Sequence, residues 1–451
     1  MSENAMPCGH DKTRDDRSTP ESRRKLTYVV GSSLAGNTIE QYDFMIYGLA
    51  ATLVFPQLFF PNLTPFVGTI VSFLTIAITF FSRPLGAIFF GHFGDKIGRK
   101  KTLIISIIMM GLATFGIGLI PSYEVIGNLA PVLLVFLRLC QGFAIGGEWG
   151  GASTMIAEYA PAHRRGFFGT FVQLGNSIGL FLSTAAFALV ATLPDEDLYS
   201  WGWRIPFLIS IVLLGLGLFM RNKVDETPVF LEEQKKKSQQ PKQSIPLIRL
   251  LKTHPRAILT TVALRMTELV LAYWIAVFFT SYATTTLGLS RDIPLLAIAL
   301  ASIVGTFTFL FFGHLSDRIG RRPLYLAGVS LALIFAFPLF WMIGSGSVPL
   351  FIFAIVFSYS IIYGLMYSIQ PALFTELFST DVRYSGVSLG SQLAGVLGGL
   401  TPVICAFLIK WSDGAAWPLS LWLVAMGLIT LFATLKTKET LHDSLSTDRS
   451  E

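Results

Sequence analysis

Seven ionisable side chains lie inside long apolar stretches of this 451-residue chain: Glu40, Asp43, Arg83, Arg138, Glu148, Arg265 and Glu268. A charge at that depth in a bilayer costs roughly 2.5–3.5 kcal/mol on insertion scales and is tolerated where it faces a cavity or a partner. Three arginines against four acids leave one acid in excess, which is a place for an exchangeable proton. Asn37, Glu40, Asp43 and Tyr47 recur at three- and four-residue intervals and so share one helical face. With a rise of about 1.5 Å per residue, Asp43 and Arg138 fall at similar depth, roughly 10 Å from one membrane face. An Asp43–Arg138 pair is therefore expected. By the same rise, Arg83, Glu148, Arg265 and Glu268 fall in a second layer, roughly 12–18 Å from the opposite face. Two guanidinium groups near mid-membrane suit a carboxylate, which they bind bidentately. The charge pattern thus predicts proton exchange in one layer and capture of an organic anion in the other.

Neutral polar residues extend the expected pocket. Gln141 lies one turn from Arg138; Gln173, Asn176 and Ser177 share a face; Ser360, Tyr363, Tyr367 and Gln370 form a narrow stripe that could hydrogen-bond substrate hydroxyls. All six histidines fall in tails or loops, so a proton coupled to transport must ride on a carboxylate. Cys8, Cys140 and Cys405 have no paired spacing, which argues against a disulfide scaffold or a zinc site. Nor is there a nucleophile elbow, phosphate loop or soluble catalytic domain, so neither an enzyme nor a sensor is expected. The one coupling ion is the proton, with no other cofactor.

Positioning these groups requires a membrane scaffold. The chain is 52% hydrophobic and 14% charged, against about 25% charged in soluble domains. Reading apolar runs between polar and Pro/Gly breaks predicts an all-α, polytopic membrane protein. Twelve helices are expected, near 26–54, 66–90, 102–121, 130–157, 167–192, 203–221, 256–284, 294–312, 323–343, 348–374, 385–410 and 416–435. The first apolar run follows a strongly polar stretch and is too long for a signal-peptide core, so no cleavage is expected. With both termini cytoplasmic, 28 of the 34 Lys and Arg residues fall on the cytoplasmic side, the orientation that basic loops favour. The pI near 9.1 therefore reflects topology, not nucleic-acid binding, and the Lys235–Lys237 run reads as a solvated linker.

An internal repeat fixes the organisation. GHFGDKIGRKK at 91–101 recurs as GHLSDRIGRRP at 313–323, and AEYAPAHRRGFFG at 157–169 is echoed by TELFSTDVRYSGV at 375–387. Both copies fall in loops on the same side, which predicts two six-helix parallel repeats with a substrate site between them near the midplane. The expected divisions are a tail at 1–25, halves at 26–221 and 256–436, a linker at 222–255 and a tail at 437–451.

The repeated G-x-x-x-D-[KR]-x-G-R-[KR] loop resembles the signature of the major facilitator superfamily. GNTIEQYDFMIYG, SRPLGAIFFGHFGDKIGRK and RLCQGFAIGGEWGGA resemble its metabolite:proton symporter family, and WGWRIPFLIS, ALRMTELV and RYSGVSLGSQLAGVLGG are similar to the shikimate transporter branch. The likeness covers nearly all of residues 26–436. It implies that Asp95, Arg99, Asp317 and Arg321 gate the cytoplasmic side, with Glu158 and Glu376 as acids that Arg99 and Arg321 can reach. It also implies an acid–arginine pair between helices 1 and 4, as in sugar–proton symporters.

The expected function is import of a small organic acid with a proton by alternating access. Asp43, Glu40 and Arg138 would couple the proton, and the second layer and neutral groups would bind a shikimate-like carboxylate. A monomeric unit in a bacterial-type inner membrane is expected. An exporter, an uncoupled facilitator, or an importer of a zwitterion such as proline or betaine are the other readings of the same fold.

Overall fold

The computed structural model describes residues 20–97, 99–146, 148–222, 254–378 and 383–441. The side chains of 91–103 and most of the expected tails and linker lie outside the described set. Among the described residues there is no strand, and long helices carry almost all of the chain. In chain order they are α1 (Pro20–Leu53), α2 (Pro65–Ile97), α3 (Arg99–Leu119), α4 (two pieces, Leu129–Ile145 and Glu148–Tyr159), α5 (Arg165–Val190) and α6 (Arg204–Asn222). Then come α7 (Pro255–Thr285), α8 (Asp292–Ile319), α9 (Arg321–Ile343), α10 (Val348–Leu377), α11 (Arg383–Trp411) and α12 (Trp417–Lys436).

Ten of these are long and apolar enough to cross a membrane by length and composition, and α3 contributes a shorter apolar stretch, Ile104–Leu119. The helix α1 misses that criterion because Asn37, Glu40, Gln41 and Asp43 interrupt its apolar run. Large apolar side chains such as Leu85, Leu189, Val212, Phe307, Ile334 and Trp341 point outward, as lipid-facing residues must. Helix ends follow local chemistry. Prolines at the first or second position start α7, α10 and α12, where the missing N–H costs nothing. Gly320, at φ +104°, makes the corner between α8 and α9 in a conformation that other residues strongly resist.

The helices pair in a pattern that repeats six elements on. α1 packs on α5 as α7 packs on α11; α3 packs on α6 as α9 packs on α12; and across the two sets α5 packs on α8 as α11 packs on α2. The α2–α4 contact is a backbone approach. A Cβ at Gly86 would lie 1.8 Å from the Phe143 carbonyl oxygen, and one at Gly142 would lie 2.2 Å from that of Thr79. Small residues on both helices, Gly86 of α2 and Gly142 of α4, thus let two backbones meet, the packing mode open to helices in lipid. Two helices contain a wider π turn, Trp274–Phe278 in α7 and Ser358–Tyr363 in α10, a feature that often marks a functional region.

The first and last six helices touch at both ends. At the end bearing the described termini, Asp317 of α8 accepts the backbone N–H groups of Gly166 and Phe167 of α5, each at 2.8 Å. At the other end Thr52 reaches the Val277 carbonyl at 3.5 Å, and Arg291 pairs with Asp195.

Candidate functional site

Between these contacts lies a cavity of about 80 Å³, room for several water molecules at the usual 10–15 Å³ each. From the first six helices it is lined by Glu40, Gln41 and Phe44 of α1, Phe80 and Arg83 of α2, Trp149 of α4 and Asn176 of α5. The last six contribute Arg265, Glu268 and Tyr273 of α7, Tyr363 and Tyr367 of α10, and Ser391 and Gln392 of α11.

The two cavity arginines differ in their surroundings. Arg265 is held by Glu268 one turn on, Nε to Oε1 at 2.6 Å, with a weaker bond from Nη1 to the Ser391 carbonyl at 3.3 Å. Arg83 lies over two rings, its guanidinium carbon 4.1 Å from the Phe80 centroid and 5.3 Å from that of Phe44, and its buried Nε has no hydrogen-bond partner. Aromatic faces stabilise the cation but leave its N–H groups for an acceptor. A carboxylate entering the cavity would find those donors at Arg83. Phe44, Phe80 and Tyr273 meet edge to face, with centroids 5.4–6.1 Å apart, and form the wall that carries this arginine.

Opposite stands a cross-half polar contact. Tyr359, Tyr363 and Tyr367 stack along α10 at centroid spacings of 5.1 and 4.6 Å. Asn176 of α5 donates to the Tyr367 hydroxyl at 3.1 Å and lies 3.4 Å from that of Tyr363, and Ser177 meets Tyr359 at 3.0 Å. Of the stripe expected on α10, Tyr363 and Tyr367 line the cavity, while Ser360 donates to the Ala301 carbonyl at 3.0 Å; Tyr359, outside that stripe, is taken up by α5.

Asp43 and Arg138 are buried beside the cavity, behind Phe44, but they form no direct pair. Arg138 lies flat on Tyr47, its guanidinium carbon 3.5 Å from the ring centroid, and donates from Nη1 to Gln141 Oε1 at 2.7 Å. Gln141 Nε2 donates to Thr114 Oγ1 at 2.6 Å, and the Thr114 hydroxyl reaches Asp43 Oδ2 at 2.9 Å. Two neutral side chains thus join the expected partners. Depth along the membrane, which spacing gives, does not fix rotation about the helix axis, and Tyr47 draws the guanidinium one turn along α1 from Asp43. Thr114 is one of only two hydroxyls in the apolar stretch of α3; that isolation is the signal that could have marked it.

Other expected pocket residues have different places. Gln141 belongs to the buried chain just described. Gln173 accepts from Trp149 Nε1 at 3.0 Å and donates to the Tyr367 carbonyl at 2.9 Å, so it joins α4, α5 and α10 behind the cavity wall. Gln370 donates to the Tyr325 hydroxyl at 3.1 Å. Neither Gln370 nor Glu148 lines the cavity, whereas Trp149, next to Glu148, does. Side chains on adjacent positions point about 100° apart around a helix, so Trp149 faces the cavity and Glu148 does not. Gln41, Tyr273, Ser391 and Gln392 are neutral and were not singled out by charge either.

At the end bearing the described termini, Asp317 also pairs with Arg321 at 2.8 Å, and Arg321 lies 3.5 Å from Glu376. Glu376 in turn accepts the Thr440 hydroxyl at 2.5 Å. Glu158, the acid expected within reach of Arg99, lies 3.9 Å from Arg383 of α11 in the other set. The side chains of Asp95 and Arg99 lie outside the described residues.

Residues 44–402 match the family model of the Major Facilitator Superfamily. The chain is 40% identical to the shikimate transporter of Escherichia coli (strain K12) over 95% of its own length and 98% of that protein's. It is also 40% identical to the inner membrane metabolite transport protein YhjE of the same organism, over 95% and 97% of the two lengths. Identity to the E. coli proline/betaine transporter is 34%, over 93% and 85%. Among solved structures, a D-xylose–proton symporter superposes with a TM-score of 0.71 at 19% identity, covering 92% of this chain and 99% of that one, which shows a shared fold.

Proposed function

The chain belongs to the major facilitator superfamily of membrane transporters, and on that premise we propose that it imports a small hydroxylated organic acid together with one proton. The observation that carries this reading is Arg83: a cation at the cavity wall, backed by Phe80 and Phe44, with a buried Nε that no protein group satisfies. A guanidinium in that condition favours a carboxylate. Asn176, Gln392, Tyr363 and Tyr367 surround the rest of the space with groups suited to hydroxyls. The resemblance to a shikimate transporter agrees with a ring carboxylate of that class.

Two six-helix halves rock about the cavity. The signature loops close one side, through Asp317, Arg321, Glu376 and, by repeat, Asp95 and Arg99; Glu158 and Arg383 add a second contact there. The basic loops put this side and both termini in the cytoplasm of a bacterial inner membrane. Protonation of Asp43, with Glu40 a turn away at the cavity, removes the charge that Arg138 senses and frees the loaded carrier to rearrange. A monoanion with one proton moves electroneutrally, so the membrane potential, about 2.3 kcal/mol per charge per 100 mV, contributes nothing. The pH gradient alone then drives accumulation. The functional unit is one chain in the bilayer, needing no cofactor besides the proton and no nucleic acid.

The test is uptake into proteoliposomes of labelled shikimate, a dicarboxylate, proline and glycine betaine under an imposed pH gradient. The proposal expects shikimate or a related monocarboxylate to accumulate, and accumulation to vanish when the gradient is collapsed. Uptake indifferent to the gradient would indicate a facilitator, and movement only outward against protons an exporter. Preference for betaine is the second reading, favoured by Glu268 and Glu40 beside Trp149 and Tyr273, since acids and aromatic faces also hold an ammonium group.

A further inference from the structure

Thr114 has one hydroxyl proton and two acceptors within reach, Asp43 Oδ2 at 2.9 Å and the Met110 carbonyl of its own helix at 3.0 Å. Its oxygen also accepts from Gln141 Nε2 at 2.6 Å. Beside this chain, Asp43 Oδ1 and Arg138 Nε and Nη2 are buried without hydrogen-bond partners. Incomplete satisfaction of buried charged groups is costly, and here the unfilled positions belong to the two ends of one chain.

We infer that Thr114 is a positioning residue for proton coupling: it donates to Asp43 while that carboxylate is charged, and turns its proton to the Met110 carbonyl when Asp43 is protonated. In the first state Thr114 O–H points to Oδ2. When a proton from the aqueous phase binds Oδ2, the new carboxyl O–H donates to Thr114 Oγ1, and the threonine proton rotates to Met110. No bond between α1 and α3 is lost, so the acid stays in place while its charge disappears. Gln141 takes Nη1 of Arg138 while Tyr47 holds the face of its guanidinium, and together they keep it off Asp43, so the carboxylate remains open to a proton instead of locked in a direct ion pair.

This inference rests on the reading of Asp43 as the coupling acid. The groups that bear on Asp43 are Glu40 and Tyr42 on its own helix and Arg138 on α4, which itself lies on Tyr47, with Arg83 of α2 and Tyr273 of α7 beyond Phe44. Thr114 and Gln141 carry no charge, so their substitution changes hydrogen bonding without altering that set.

The experiment is an acid titration of the purified full chain followed by infrared difference spectroscopy, which needs no substrate. The carboxylic acid band missing from Asp43→Asn identifies Asp43. In Thr114→Val, which keeps the shape, both forms lose a bond, but the charged form loses the stronger, charge-assisted one, and the midpoint of that band should move up by about one pH unit. Thr114→Ser should restore the wild-type midpoint. Gln141→Leu frees Arg138 for the direct pair, and the midpoint should move down. If Thr114→Val does not fold, Thr114→Ala against Thr114→Ser gives the same comparison. An unchanged midpoint on loss of the hydroxyl overturns the inference, as does a shift of the same sign in Gln141→Leu or a band that survives Asp43→Asn. Transport separates the two levels: an Asp43→Asn carrier that still accumulates substrate by the pH gradient removes the coupling assignment, whatever the infrared titration shows.

Discussion

Asp317 of α8 accepts the backbone N–H of Gly166 of α5 at 2.8 Å, so a carboxylate from the last six helices ends on the first turn of a helix from the first six. The same carboxylate takes Phe167 N–H and Arg321 Nη1, each at 2.8 Å. Negative charge is favoured at a helix N-terminus, and here it ties the last six helices to the first six at this end.

Asp317→Ala should therefore favour the state open at that end. Bonds to charged groups contribute about 1.5–3 kcal/mol each, so losing even one of the two that cross between the sets shifts the population roughly tenfold or more. With the native cysteines replaced and Ser391→Cys as reporter in the cavity, thiol modification from the side of the termini should speed up by that factor. A rate equal to that of the unmodified latch would show that Asp317 does not hold this end closed.

Gly86→Ala should destabilise the α2–α4 contact, because the new Cβ meets the Phe143 carbonyl oxygen at 1.8 Å and its carbon at 2.7 Å. Backbone cannot yield as a side-chain tip can, and overpacking of this kind costs about 1–3 kcal/mol. Gly215→Ala is the control: nothing lies within 4 Å of its Cβ, and loss of a helical glycine gains about 0.5–1 kcal/mol. Thermal unfolding in detergent should move down for the first substitution and stay level or rise for the second.

The scaffold was more legible than the pocket, for a physical reason. Apolar run length and the repeated signature report on single helices or on sequence offsets, and these carried over to the helices and their pairing. A pocket depends on rotation about each helix axis and on which side chains are used up elsewhere. Arg83, Arg265, Glu268, Asn176, Tyr363 and Tyr367, singled out in the sequence, line the cavity. Asp43 and Arg138 have the right depth but meet through Thr114 and Gln141. Gln173 looked free in the sequence and is engaged at both ends of its amide. Trp149 was passed over because Glu148 beside it carries the charge.

Arg83→Ala should weaken binding of the transported carboxylate by roughly tenfold to a hundredfold, the loss of one charge-assisted bond of about 1.5–3 kcal/mol. Arg83→Lys should recover only part, since an ammonium cannot present the planar fork. Titration calorimetry with shikimate, and in parallel with glycine betaine, checks this. Equal affinity in Arg83→Ala would move the anion to Arg265 and take away the main support for the substrate class.

Glu439 extends the closed end into the chain beyond α12. Its carboxylate accepts the backbone N–H groups of Arg321 and Arg322 at 2.9 and 3.0 Å, capping α9, and the next residue, Thr440, bonds Glu376 at 2.5 Å. Arg321 is thus held from behind by Glu439 and in front by Asp317. Removing a cap costs about 0.5–2 kcal/mol, so Glu439→Ala should open the same end as Asp317→Ala, by a smaller factor in the Ser391→Cys assay. Because both act on Arg321, their effects should not add, and a double mutant should fall short of the product of the single changes by at least twofold, the mark of residues in one network. Strict multiplicity of the two factors would mean that Glu439 only stabilises the start of α9 and leaves the closure of this side to Asp317.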